Sequence, residues 1–305
     1  MAITAAMVKE LRVKTGAGMM DCKKALTEVN GDMEKAVDIL REKGLAKAAK
    51  KSGRIAAEGL VAICMNEDNT KAVVAEVNSE TDFVAKNDEF KKFVSDVAVT
   101  ALNTDKETTE ELLNEKYLDT DATVQETLND KIAKIGENMS VRRFKKIEVK
   151  NGKVAGYIHG AGKIGVLVGL ETGSDSEEIL SLGKDLAMQV AAMNPKYISR
   201  DDVDAEYIEH EKEILKQQAL NEGKPANIVE KMIVGRLNKQ LKEICLLNQA
   251  FVKNPDLSVE QLIKEVSKKL GTEIKIVSTA RFEVGEGLEK KEENFAEEVA
   301  KQINS

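Results

Sequence analysis

Apolar residues recur at helical spacing three times before residue 52. In TAAMVKELRVK, Val8 and Leu11 share a face. In MMDCKKALTEVN, Cys22, Ala25, Leu26 and Val29 do, and in MEKAVDILREK, Val37 and Leu40 do. TGAG breaks the first pattern and Asn30-Gly31 the second. Asp32 stands where a side chain accepts hydrogen bonds from the first-turn N–H groups of the third helix. Fewer than sixty residues make a marginal core. Residues 1–55 therefore read as a small three-helix docking module on a basic leash, KAAKKSGR.

The period then changes. GLVAICM, NEDN and TKAVVAEV predict strand, turn and strand, followed by a helix from about Asp88 (EFKKFVSDVAVTAL). Residues 153–193 repeat the order: KVAGYIH, GAGK, IGVLVGLE and a helix from about Ser176. This degenerate repeat places one hairpin and one covering helix in each of two subdomains, 56–148 and 149–200 with 245–285. RRFKKIEVK (142–150) and EIKIVSTARFEVG (273–285) add strands. The fold class is α+β with antiparallel sheets.

Residues 201–244 are helical in pattern and punctuated by Gly223 and Pro225. Val229, Met232, Ile233, Leu237, Leu241 and Ile244 keep three-and-four spacing, so an inserted antiparallel helical hairpin is expected. LEKKEENFAEEVAKQINS repeats Phe295, Val299 and Ile303 one turn apart, predicting a C-terminal helical module over 286–305.

Composition narrows the function. The chain has 305 residues, 42% hydrophobic and 32% charged, with net charge −7, a soluble globular balance. Aromatic content of 4% without Trp argues against broad stacking surfaces for single-stranded nucleic acid. Residues 1–55 hold 12 Lys/Arg against 7 Asp/Glu, a weakly basic module in an acidic chain. Cys22, Cys64 and Cys245 lack metal or redox spacing and suit a reducing compartment. No apolar run approaches the roughly 20 residues that span a bilayer. A cytoplasmic protein without membrane attachment is expected.

Chemistry is scarce. GAGKIG (160–165) satisfies G-x-G-x-x-G, but a dinucleotide site needs that motif to open a helix, and a strand pattern, VLVGLE, follows. GYIHGAGKI misses the P-loop by one residue and has Ile164 where a hydroxyl holds magnesium. His159 lies at that turn and His210 in the helical hairpin, neither within a ligand cluster. No nucleophile motif is present. The expectation is no catalytic residue, no metal site, no cofactor, and no direct nucleotide or DNA binding.

Binding features remain. Met19-Met20 opens a short helix, and Met is an adaptable contact residue. Asp82-Phe83 sits at a strand-to-helix junction. Burying that Phe is worth roughly 1.5–3 kcal/mol, in its own core or in a partner.

VKELRVKTGAGMMDCKKALTEVNGD, EVNSETDFVAKNDEF, AKIGENMSVRRF, HGAGKIGVLV and RFEVGEG run in one order across nearly the whole chain. Together they closely resemble the bacterial elongation factor Ts family. The resemblance implies an N-terminal module like a ubiquitin-associated domain, a two-subdomain core, a helical hairpin and a C-terminal helix. It implies nucleotide exchange on elongation factor Tu. Leu11, Arg12, Met19 and Met20 would dock on the GTPase domain, and the loop Thr81, Asp82, Phe83, Val84 would press near its magnesium site. His159 would join the contact, and the C-terminal helix would reach another part of Tu. Some family members self-associate through the hairpin, here 201–244. A second reading is an RNA- or ribosome-binding accessory protein without exchange activity, motivated by the basic module and RRFKK (142–146). The acidic total and scarce aromatics weigh against it.

Overall fold

The structure, a computed structural model, describes residues 3–223 and 225–289. It divides into two compact units, one of residues 3–62, 75–144 and 283–289, the other of 63–74 and 145–282. The expected C-terminal helix over 290–305 lies outside the described residues.

The first unit opens with α1 (Ala5–Thr15), α2 (Met19–Glu28) and α3 (Met33–Lys51). Thr4 caps α1 by accepting from Met7 N–H, and Asp32 caps α3 by accepting from Lys35 N–H. Val8, Leu11, Cys22, Ala25, Leu26 and Ala36 form the buried core. Val37 and Leu40, expected inside, are only half-buried, because the smaller Ala36 takes the central position of α3. The basic leash is corrected as well. KAAKK continues α3 to Lys51, and α3 packs along α7 (Val124–Ile135). Small residues permit the approach: a Cβ on Gly44 would stand 3.6 Å from that of Ala133, and Ala48 is buried. Lysines on the outer face keep this stretch soluble while Gly44 and Ala48 are covered.

β1 (Glu58–Met65), β2 (Lys71–Ser79) and β3 (Met139–Glu148) form one sheet in the order β1-β2-β3. The short α4 (Asp82–Lys86) and α5 (Asp88–Asn103) follow β2, and α5 buries Phe90, Phe93, Val94 and Val97. Among the helices without a sequence expectation are α6 (Thr109–Asn114) and α7. Each starts with a capping box, Thr108 with Glu111 and Thr123 with Glu126.

A buried charge cluster closes this unit. Glu76 is fully buried on β2. Its carboxylate accepts from Arg142 at 3.0 Å, from Arg143 at 2.6 Å and from Gly285 N–H at 2.9 Å. Burial alone would raise the Glu76 pKa. Those donors outweigh it and hold the carboxyl below the usual carboxylate range. Gly285 has φ of +73°, and a Cβ there would lie 2.2 Å from the Ala57 carbonyl oxygen, so only glycine brings this N–H to Glu76.

In the second unit, β4 (Gly152–His159) pairs antiparallel with β5 (Ile164–Thr172), from Gly152 opposite Glu171 to His159 opposite Ile164. β8 (Ile274–Glu283) completes the order β4-β5-β8. α8 (Glu177–Met193), capped by Ser176, covers the sheet with Ile179, Leu182, Leu186 and Val190 against Val166, Val168 and Leu170. The helical hairpin is α9 (Ala205–Asn221) and α10 (Ala226–Ile244). Leu215, Leu237 and Leu241 are buried between them. A two-stranded ribbon, β6 (Ala250–Phe251) with β7 (Asn254–Ser258), leads into α11 (Val259–Leu270), capped by Ser258 and Gln261. The molecule is thus α+β, with N-terminal helices and antiparallel pairing.

Candidate partner-binding site

Phe83 is 79% exposed, in a chain with only 7 Phe. The residues around it are fixed. Thr81 precedes α4 with extended backbone, and its Oγ1 accepts from Val84 N–H at 3.4 Å. The same hydroxyl donates to Glu137 at 2.7 Å, and Thr81 N–H donates to the other Glu137 oxygen at 3.0 Å. Ser79 Oγ donates to the Thr81 carbonyl at 3.0 Å. Val84 and Ala85 are buried beneath the turn. Asn87 then ends α4 and caps α5, its Oδ1 accepting from Glu89 and Phe90 N–H. One helical turn, tied down at both ends, presents one aromatic ring to solvent.

The charges beside the ring are arranged with it. Asp82 and Lys86 form an ion pair at 2.6 Å, and the Lys86 ammonium lies 5.8 Å from the Phe83 ring centroid. An exposed pair of this kind adds little stability, and the cation over the ring adds about 0.5–1 kcal/mol at most. Both are weak enough to yield to a partner. At the start of α5, hydrogen bonds from Lys131 and then Lys134 hold the Glu89 carboxyl below its usual range and tie α5 to α7.

The N-terminal helices carry a second exposed apolar group. The TGAG turn is built by Gly16, whose left-handed backbone (φ +67°) lets its N–H reach the Arg12 carbonyl at 2.8 Å. Thr15 Oγ1 donates to the Leu11 carbonyl at 2.8 Å. Beyond the turn, Met19 is 59% and Met20 63% exposed, and Arg12 is exposed. Leu11 is not at the surface. It is fully buried in the helical core and supports the helix that carries Arg12. Val13, which had drawn no attention in the sequence, is 79% exposed. It lies off the Val8–Leu11 face, and that was its signal.

His159 belongs to the second unit. It ends β4, exposed, with Nδ1 3.0 Å from the Tyr157 hydroxyl. Gly160, Ala161 and Gly162 all have positive φ, and β5 begins at Ile164. GAGK is therefore a hairpin turn that opens a strand. Among the described residues no group of three or more His, Cys, Asp or Glu could hold a metal ion, and no helix is long and apolar enough to cross a membrane.

A family profile, Elongation factor TS, matches residues 80–286, beginning one residue before Thr81. The chain belongs to the elongation factor Ts family. Elongation factor Ts of Clostridioides difficile (strain 630) is 68% identical over 301 residues, 99% of each chain. The protein of that name from Clostridium perfringens (strain 13 / Type A) is 59% identical over 299 residues, 98% of each. That of Clostridium novyi (strain NT) is 57% identical over 303 residues, 99% of each. As an elongation factor Ts, the chain is a translation elongation factor of protein biosynthesis. Glu137 and Lys86, which anchor and flank the exposed turn, had no place in the sequence reading. The signal of Glu137 was spatial, since it stands 56 residues from Thr81; that of Lys86 was its place four residues after Asp82.

Proposed function

We propose that this chain is a cytoplasmic guanine-nucleotide exchange factor for elongation factor Tu. It binds the GDP form, disturbs the magnesium and phosphate site and promotes GDP release so that GTP can bind. The observation that carries this reading is Phe83, an exposed ring on a turn anchored by Thr81, Val84 and Asn87. A rigid apolar wedge can enter a crevice of the GTPase and shift the elements that hold Mg²⁺. Magnesium neutralises the phosphates, and its displacement weakens GDP. Asp82 contributes a negative charge beside that metal.

The energetics require more than the wedge. If the factor weakens nucleotide binding, nucleotide weakens factor binding by the same ratio. A rate gain of about 10⁴ takes roughly 5.5 kcal/mol off the barrier, against roughly 1.5–3 kcal/mol for burying one Phe. The balance comes from docking. Arg12, Met19 and Met20 of module 1–55 supply one contact, over the core that holds Leu11. The His159 turn of the 149–200 and 245–285 subdomain supplies another, and the C-terminal module 286–305 a further one. The 56–148 subdomain carries the wedge. Hairpin 201–244 leaves Leu220, Ile228 and Val234 exposed, a surface for self-association. The factor does no covalent chemistry and binds no nucleotide itself.

Stopped-flow release of fluorescent GDP from elongation factor Tu tests this. The expected result is strong acceleration by the chain and a large loss of it in Phe83→Ala, with chelation of Mg²⁺ masking much of that loss. No acceleration by the parent chain would sink the assignment. Salt-sensitive RNA binding in its place would favour the accessory-protein reading.

A further inference from the structure

Within the first unit, the end of α3, α7 and the start of β3 enclose an open groove of about 830 Å³. Leu45, Ala48, Ile55, Leu128, Ile132 and Met139 make its apolar floor and walls. Leu45 and Ile55 are exposed in it. Asn78 also lines it, fully buried, and its Oδ1 has no hydrogen-bond donor among the described residues. Buried acceptors rarely go without a partner. An open groove with an apolar lining of this kind fits an occupant with an apolar face.

The chain itself supplies a candidate. Leu288 and Glu289, the last described residues, lie in the wall of this groove. Residues 290–305 begin there. Their sequence repeats Phe295, Val299 and Ile303 at intervals of four, with Ala296 and Ala300 beside them. Glu297 and Glu298 fall between the apolar positions, Glu292 and Glu293 precede them, and Lys290, Lys291 and Lys301 share the segment. Arg54 and Arg142 of the groove are paired with Glu80 and Glu76, so the apolar lining is what the groove offers. Sixteen residues as a helix would measure about 24 Å, enough to lay two turns of apolar side chains along the groove.

We propose that residues 290–305 dock as an amphipathic helix into this groove of their own chain. Phe295, Val299 and Ile303 face Leu45, Ile55 and Ile132. The tether decides for this occupant over a second copy. A segment attached at the groove's edge acts at an effective concentration in the millimolar range, which a separate chain does not reach in dilute solution. The seat belongs to the free protein and is tested without Tu; the Tu contact proposed for module 286–305 would draw the segment out of it.

The chain contains no Trp, so Phe295→Trp in the full-length protein gives a single reporter. The expected emission is blue-shifted, weakly quenched by acrylamide and unchanged on dilution. Adding Leu45→Glu or Ile55→Glu, both at exposed positions, should shift emission to the red and raise quenching several-fold, with the far-UV circular dichroism kept. If either substitution unfolds the unit, Val299→Glu leaves the groove intact and must give the same red shift. Red, fully quenched emission in the parent would overturn the proposal, as would blue emission that none of the three substitutions moves. Blue emission that fades on dilution would also overturn it, placing the segment on a second copy. No partner protein is present, so failure of GDP release elsewhere leaves this result unchanged.

Discussion

Thr81 shows how much of the candidate site depends on one hydroxyl. It caps α4 and donates to Glu137, while its neighbour Phe83 touches little. Substitution should therefore cost stability and function at Thr81 but function alone at Phe83, two residues on. Thr81→Val removes a cap worth about 1 kcal/mol and a bond to a charged acceptor, so unfolding in urea should report a loss of about 1–2 kcal/mol. GDP release should fall too, although Phe83 is intact, and Thr81→Ser should restore both. Phe83→Ala should stay within about 0.5 kcal/mol of the parent. This division was half legible. A rare aromatic at a junction announced itself in the sequence. The cap and its Glu137 anchor did not, because that carboxylate arrives from 56 residues away. Leu11 is the converse. Its place on the Val8 face foretold burial, and a fully buried residue supports a surface without forming it.

Among elements, the long periodic helices and the two hairpins were readable, because apolar spacing and caps agreed. α5 and α8 begin at Asp88 and Glu177, within one residue of the expected starts. α6, α7 and α11 carry their own start signals, capping boxes, which periodicity alone did not bring forward. The last turns of α3 were beyond sequence reasoning. Gly44 and Ala48 make no apolar stripe among lysines until α7 is there to cover them. Small residues also set how closely elements approach. A Cβ on Gly183 of α8 would meet that of Ala155 on β4 at 2.5 Å, whereas nothing lies within 4 Å of one on Gly235 of α10. Gly183→Ala should therefore cost about 1–3 kcal/mol through overpacking, despite the better helix propensity of alanine. Gly235→Ala should stabilise by up to about 1 kcal/mol. Thermal melts of the two variants should move in opposite directions.

For the whole molecule, Glu76 is the charge whose loss reaches furthest, since β2, β3 and the RFEVGEG stretch all meet at its carboxylate. Its folded pKa is lowered relative to the unfolded chain. The stability it confers is thus complete above the usual carboxylate range and is lost as pH falls through the depressed folded value. Glu76→Gln should lower stability at pH 7 by on the order of 3 kcal/mol, the low end for a broken buried pair because Arg142 and Arg143 keep some exposure. Urea melts between pH 7 and 3 should also show a shallower acid slope in the variant than in the parent. The family assignment was legible at this scale, since five stretches in fixed order span the chain. The excursion of 63–74 into the second unit and the return to the first at 283 were not, because neither is marked by a break in the apolar pattern.

That return has a consequence for the protein's own birth. Gly285, whose N–H completes the shell around Glu76, follows it by 209 residues. At about 5–20 residues per second, the ribosome delivers it roughly 10–40 seconds after Glu76. Through that interval the nascent first unit holds a carboxylate without its full set of donors. It can close only once Gly285 has been made. Completion of the first unit therefore waits on a stretch synthesised after the whole of the second unit.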